Sequence, residues 1–276
     1  MNPSTQHNLS LKRLNLCLVI VILIVGAAPV VAAPDRVVVR ESISQSQRDE
    51  LTTRLRAITG WSEMAFNHDG ALQLSNTDPV NGSVSARDLL KRAVSGNRVI
   101  LFEDASSRKD VVFCRVVLGK FLHELPADPE VYVVLIDFED FRRVIGDKQA
   151  RAAFDVGWAV LHEIDHVVQD SQDPEHDTSA GDCEAHINNM RRELGVPVRI
   201  SYFFSFLPLK NDANLVSRFV RLGFDQIDSA STKTKRYWLI WDAAIVGGLN
   251  PECAEASDRI TTSGVRSSPD LASRVF

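Results

Sequence analysis

Apolar and polar positions change their period several times along the chain, and each change marks an element. Residues 34 to 47 carry an apolar run, VVVRESISQSQ, that is either a short strand or a tether. From Arg48 to Ile58, Leu51, Leu55 and Ile58 fall on one helical face, and Gly60 stops the helix. The stretch from Trp61 to Gly82, rich in Asn, Asp, Ser and Gly, reads as turns with one short hairpin. Ser83 or Ser85 caps a second helix, with Leu89, Leu90 and Val94 facing inward and Gly96-Asn97 closing it. The β-branched runs Arg98 to Phe102 and Asp110 to Val117 read as strands joined by EDASSRK, and a short helix is expected near Leu118 to Leu125. VYVVLIDF, Val131 to Phe138, is the strongest strand signal, fitting an edge strand or an internal one equally.

Beyond residue 140 the period becomes helical. Residues 148 to 169 contain no Pro and place Ala152, Val156, Ala159 and Val160 on a buried side, which predicts one long helix. A polar stretch from Asp170 to Asp182 leads into CEAHINNMRREL, whose stripe of Cys183, Ile187, Met190 and Leu194 predicts a second helix ended by Gly195 and Pro197. SYFFSFL and KRYWLIWDAAIV are strand or core segments. No compositional break divides Pro34 from Gly248. The expectation is one α+β domain over residues 34 to 250, with a small, mostly antiparallel sheet against two helices and a flexible tail over 251 to 276.

The N-terminus changes the picture of where the chain works. After Lys12 and Arg13 no charge occurs from Leu14 to Ala33, the layout of a signal peptide or, uncleaved, a signal anchor. Either exports the rest, as a secreted or periplasmic protein or as a membrane-anchored one. The whole chain has a formal charge of −5; without residues 1 to 33, which hold two cations and no acid, it becomes −7. That balance gives no reason to expect nucleic acid as a partner. The remaining cysteines, Cys114, Cys183 and Cys253, form at most one disulfide, and the chain lacks CxxC, which disfavours a thiolate zinc knuckle.

The candidate chemistry lies in the segment HEIDH. His162 and His166 are i and i+4, so on a helix their rings stand on one face within reach of a single ion. Glu163 stands beside the pair, where it serves as general base toward a water that zinc makes acidic. Asp165 points away from the histidine face and reads as a solvent-facing acid. A catalytic zinc site usually takes a third protein ligand, with Asp173, Glu175, His176, Asp177, Glu184 and His186 in range. Glu184 is preferred, because it lies on the second helix beside its apolar stripe while the loop residues need an extra chain reversal. Asn188, one turn on, is then placed to accept the free ring N–H of a ligand histidine. Arg191 is either a substrate contact or a helix-end charge, and an i+7 spacing sets it too far from Glu184 for direct contact. Tyr202, ahead of Tyr237, is the candidate oxyanion donor, and Phe154 and Trp158 read as core or cleft floor.

With His162, Glu163, His166, Glu184 and Asn188 in this order, the stretch Phe154 to Gly195 resembles the gluzincin, thermolysin-like zinc metallopeptidases. In that family the residue at the Asn188 position is acidic. The resemblance implies a zincin-like domain, one Zn2+, and hydrolysis of a peptide or protein substrate. Two other readings share these residues: a metal-stabilised extracytoplasmic binding module without catalysis, and a hydrolase of another amide or ester.

Overall fold

The computed structural model describes residues 36–106, 108–119, 129–175, 180–209, 212–227 and 232–246. The apolar N-terminal segment, residues 120–125 of the helix expected near 118–125 (Leu118 itself ends a strand), His176, Asp177, Cys253 and the tail lie outside the described residues. No helix among the described residues is long and apolar enough to cross a membrane.

Strand β1 (Val37–Val39) leads into α1 (Gln45–Thr59), where Ser44 and Gln47 form a capping box and Gly60, at φ 76°, closes the helix. A small hairpin, β2 (Ala65–Phe66) and β3 (Leu72–Gln73), precedes α2 (Val84–Ser95), capped by Ser83. Next come β4 (Val99–Asp104), β5 (Cys114–Leu118) and β6 (Val131–Ile136). They join β1 in a sheet of order β1-β4-β6-β5. Its β1-β4 and β4-β6 pairs are parallel and its β5-β6 pair antiparallel. The strongest strand signal is therefore internal, and β5 forms the edge.

The predicted long helix over 148–169 is in fact two helices separated by a break. Helix α3 (Phe138–Arg142) and β7 (Ile145–Gly146) precede α4 (Lys148–Ala152), and after a break α5 runs Val156–Gln169. The break has two causes: Asp155 turns its carboxylate onto the Gly157 and Trp158 amides as an N-cap, and Phe154 packs in a core other than that of α5. Helix α6 (Gly181–Glu193) follows, and β8 (Val198–Arg199), β9 (Ser205–Leu209), β10 (Asp212–Ile227) and β11 (Thr234–Asp242) complete the fold. These four strands and β7 make a fully antiparallel second sheet. The result is a mixed α/β fold in which the first sheet is mostly parallel, against the expectation of a mostly antiparallel one, the second is antiparallel, and α5 and α6 bear the site.

Two apolar cores hold these layers. The first sheet packs on α1, α2, α5 and α6 through Leu51, Leu55, Leu89, Phe102, Val160, Ile164, Ile187 and Met190. The second gathers Phe113, Phe154, Tyr202, Phe224, Leu239 and Trp241. Helix α5 packs against α1, α2, α6, β5 and β6. It is buried from Val156 to Asp165, as expected of a helix surrounded by protein. Its polar motif is thus carried into the interior on a rigid element.

Candidate metal centre

Helix α5 delivers His162, Glu163 and His166, all of them buried or nearly so. The helix ends at Asp170, whose φ of 53° is left-handed and whose N–H bonds His166 O. Asp is among the few residues that adopt this conformation readily. The chain reverses there and brings Asp173 back over the histidines, so the reversal that seemed to count against the loop acids is built in. Gly181, at φ 77°, lets α6 start against that loop: a Cβ on it would lie 2.5 Å from Pro174 Cδ.

Three donor groups converge, the Asp173 carboxylate meeting each histidine with a different oxygen. His162 Nε2 lies 3.2 Å from His166 Nε2 and 3.2 Å from Asp173 Oδ1, and His166 Nε2 lies 3.2 Å from Asp173 Oδ2. The edge of a tetrahedron with zinc–nitrogen and zinc–oxygen bonds near 2.0 Å is about 3.3 Å. The cluster of His162, His166, Asp173 and Cys183 is geometrically suited to hold a divalent ion such as Zn2+.

Outer contacts fix which ring nitrogens face inward. His166 Nδ1 lies 2.8 Å from Ser171 O, which can only accept, so Nδ1 carries the proton. His162 Nδ1 lies 3.4 Å from the Glu184 carboxylate, another acceptor. Both rings are thereby oriented with an Nε2 lone pair toward Asp173, the tautomer that binds metal. Two lone pairs and a carboxylate facing one another in the interior require a cation. Although burial opposes a charge on the ring, Asp173 and Cys183 push His166 up to about 11, and Cys183, Asp173 and Glu184 hold His162 well above its ordinary value. Burial raises Asp173, but the two imidazoles outweigh it and hold the carboxyl far below the usual range.

Glu163 is fully enclosed. Its Oε2 accepts the Val116 N–H of edge strand β5 at 2.8 Å, while its Oε1 is buried with no partner among the described residues. Desolvation raises its pKa against the lowering influence of His162 and His166. A buried carboxylate oxygen without a partner is costly in a site with nothing to bind.

The remaining expected residues are near the site but differently employed. Glu184 is buried and faces the outer nitrogen of His162, bound by Arg191 and, at 3.1 Å, by Arg199. Burial raises its pKa, but the charges of Arg191 and Arg199 together with His162 hold it far below the usual range. It stands one shell outside the three converging donors, supporting a histidine, the task that had been expected of Asn188. Asn188 instead accepts from Arg191 and Arg199 N and donates to Arg199 O, tying α6 to β8. Arg191 does reach Glu184, contrary to the i+7 argument, because its long side chain runs back toward the helix N-terminus over Trp158 and Phe224. Tyr202 stacks on His162 with centroids 6.1 Å apart and donates its hydroxyl to Asp173 Oδ2 at 2.8 Å, which positions that acid.

Asp165 is not solvent-facing. It is completely buried and binds Ser171 Oγ at 2.7 Å, His186 Nδ1 at 2.8 Å, and Gln169. It anchors the loop whose Ser171 carbonyl orients His166. Cys114 and Cys183 are both buried and free. Arg199 and Cys183 join the site without any motif spacing to mark them; the one signal for Cys183 is its place immediately before Glu184.

The buried His162-Glu163-x-x-His166 sequence with downstream Asp173 and Cys183 matches an HExxH-type zinc-binding metallopeptidase motif. A general base beside a metal-ligand cluster supports zinc-dependent peptide-bond hydrolysis over a binding-only role. No family model, no curated protein and no solved structure matches this chain, so its reading rests on this geometry.

Proposed function

We propose that the protein is an exported zinc peptidase in which His162, His166 and Asp173 hold the ion and Glu163 is the general base. The observation that carries this reading is the convergence of His162, His166 and Asp173 at 3.2 Å with the unpartnered Glu163 carboxylate oxygen enclosed nearby. Zinc held there supplies a Lewis acid that polarises a carbonyl and makes water acidic near neutral pH. Glu163 Oε2 is pinned by Val116 N–H, leaving Oε1 to take a proton from the attacking water and pass it to the leaving amine. Burial raises the basicity of Glu163, as suits a base working near neutrality. Asp165, through Ser171, and Tyr202, through Asp173, hold the ligands in place.

The cluster implies a peptide or protein substrate. Its approach is along β5, the sheet edge whose Val116 amide touches Glu163; an extended chain pairing there would lie next to the base. Export rests on the uncharged segment from Leu14 to Ala33 behind Lys12 and Arg13. Metal analysis of the purified protein tests the assignment: about one zinc per chain is expected, and retention of zinc after combined replacement of His162 and His166 by Ala would remove the site.

A further inference from the structure

We infer that Cys183 is a fourth ligand, so that the resting protein holds its zinc in a closed site which opens for hydrolysis when the sulfur withdraws; this rests on the zinc reading above. Cys183 lies in the first turn of α6, fully buried. Its sulfur and one donor atom each from His162, His166 and Asp173 all lie within 4.8 Å of one another. In a tetrahedral zinc site with bonds of about 2.3 Å to sulfur and 2.0 Å to nitrogen, the sulfur–nitrogen edge is about 3.5 Å. With the four donors within 4.8 Å of one another, each sulfur–donor distance needs to shorten by no more than about 1.3 Å to reach that edge.

A buried free cysteine is ordinarily a small apolar filler. Cys183 differs in its surroundings: its thiol donates to His162 O at 3.3 Å, next to two imidazoles and a carboxylate arranged for a cation. The neighbouring Glu163 oxygen is buried without a partner, an independent sign that something absent from the polypeptide belongs there. Ligation needs no oxidant: the thiol proton leaves to solvent as the sulfur–metal bond forms. Four protein ligands close a zinc site, whereas three leave a position for chemistry. Cys183 therefore competes with the attacking water, and the first turn of α6 sets how much of the enzyme is open.

Cobalt substitution separates this inference from the reading beneath it. The full chain, stripped of metal and loaded with Co2+, should show visible d–d bands of a tetrahedral ion together with a near-ultraviolet thiolate-to-cobalt charge-transfer band. Cys183→Ser should keep the d–d bands, lose the charge-transfer band, bind zinc at least about tenfold more weakly and cleave peptides faster. Should that variant not fold, X-ray absorption at the zinc edge of the unaltered protein serves instead, where a sulfur scatterer near 2.3 Å is expected. Cobalt bound with d–d bands and no charge-transfer band, or zinc surrounded by nitrogen and oxygen alone, overturns the Cys183 assignment and leaves the three-ligand site. Failure to bind either metal overturns both.

Discussion

Replacing Glu184 by Gln, set beside Asp173→Asn, distinguishes a carboxylate that supports the site from one that belongs to it. Glu184 lies between Arg191 and Arg199, whose side chains are each 2% exposed, and 3.4 Å from His162 Nδ1. In Glu184→Gln both guanidiniums lose their counter-charge in the interior, a disruption that costs about 3–5 kcal/mol when a buried pair is broken. The amide retains one acceptor oxygen, which places the expectation near the lower end. Zinc is lost less severely: without an oriented acceptor on its outer nitrogen His162 should bind about 10–100-fold more weakly, or about 1.4–2.7 kcal/mol. Asp173→Asn has the opposite profile. Its side chain is 28% exposed and its contacts are to the two histidines and Tyr202, so the fold should lose about 1–2 kcal/mol while zinc affinity falls by more than the supporting-group range. Urea denaturation of metal-free protein gives the first quantity and competition with a chromophoric chelator the second. If Glu184→Gln left metal-free stability unchanged and abolished zinc binding while Asp173→Asn bound like the unaltered protein, the assignment of the two acids would be inverted.

Asp165→Ala should weaken zinc binding roughly tenfold and cost about 1–3 kcal/mol, because Ser171 and His186 lose their acceptor and the Ser171 carbonyl no longer orients His166; unchanged affinity would show the loop to be held by other means. Gly181→Ala should lower metal affinity with α6 still helical by circular dichroism, since its Cβ would collide with Pro174 beside Asp173, and a fully zinc-loaded variant of normal affinity would refute that coupling. Asp137 is buried at the N-terminus of α3, where burial first and Asp140 second push its carboxyl up to about 6. A group whose folded pKa exceeds its unfolded value of 3.8 contributes its full stability in acid and loses it as pH rises from about 4 through 6, here about 1–3 kcal/mol. Asp137→Asn, which can still cap the helix, should remove that part of the slope in urea midpoints between pH 4 and pH 8, and an unaltered slope would contradict it.

How far the sequence could be read depended on whether a feature was local. Ser83 and Gly60 mark helix ends because caps are made by residues close in the chain, whereas the first helix, expected from Arg48, starts at Gln45 behind the Ser44 cap; His162 and His166 are legible because helical geometry alone fixes their common face. The break at residues 153–155 was hidden because neither Pro nor Gly marks it; Phe154 leaves the helix to join the aromatic cluster with Phe113 and Phe224. Asp165 was misread by equating the side away from the histidines with solvent, whereas α5 is enclosed and that side meets Ser171 and His186. Strand β10 carried a period-two signal in Val220, Leu222 and Phe224, all buried, that went unused. That Asp173 faces the inner nitrogens of both histidines while Glu184 faces the outer nitrogen of His162 depends on a left-handed turn at Asp170 and on Arg199 arriving from β8, neither of which spacing alone specifies.

Zinc and Glu163 together carry the hydrolysis of peptide bonds, and one comparison addresses both. Zinc-loaded protein and its Glu163→Gln variant would each be incubated with a diverse peptide library and the products read by mass spectrometry, with metal content measured on the same samples. Equal zinc is expected in both, with new termini generated by the unaltered protein, suppressed by Glu163→Gln, and lost when the metal is removed by chelation. Equal zinc with identical product traces from the two proteins would contradict it.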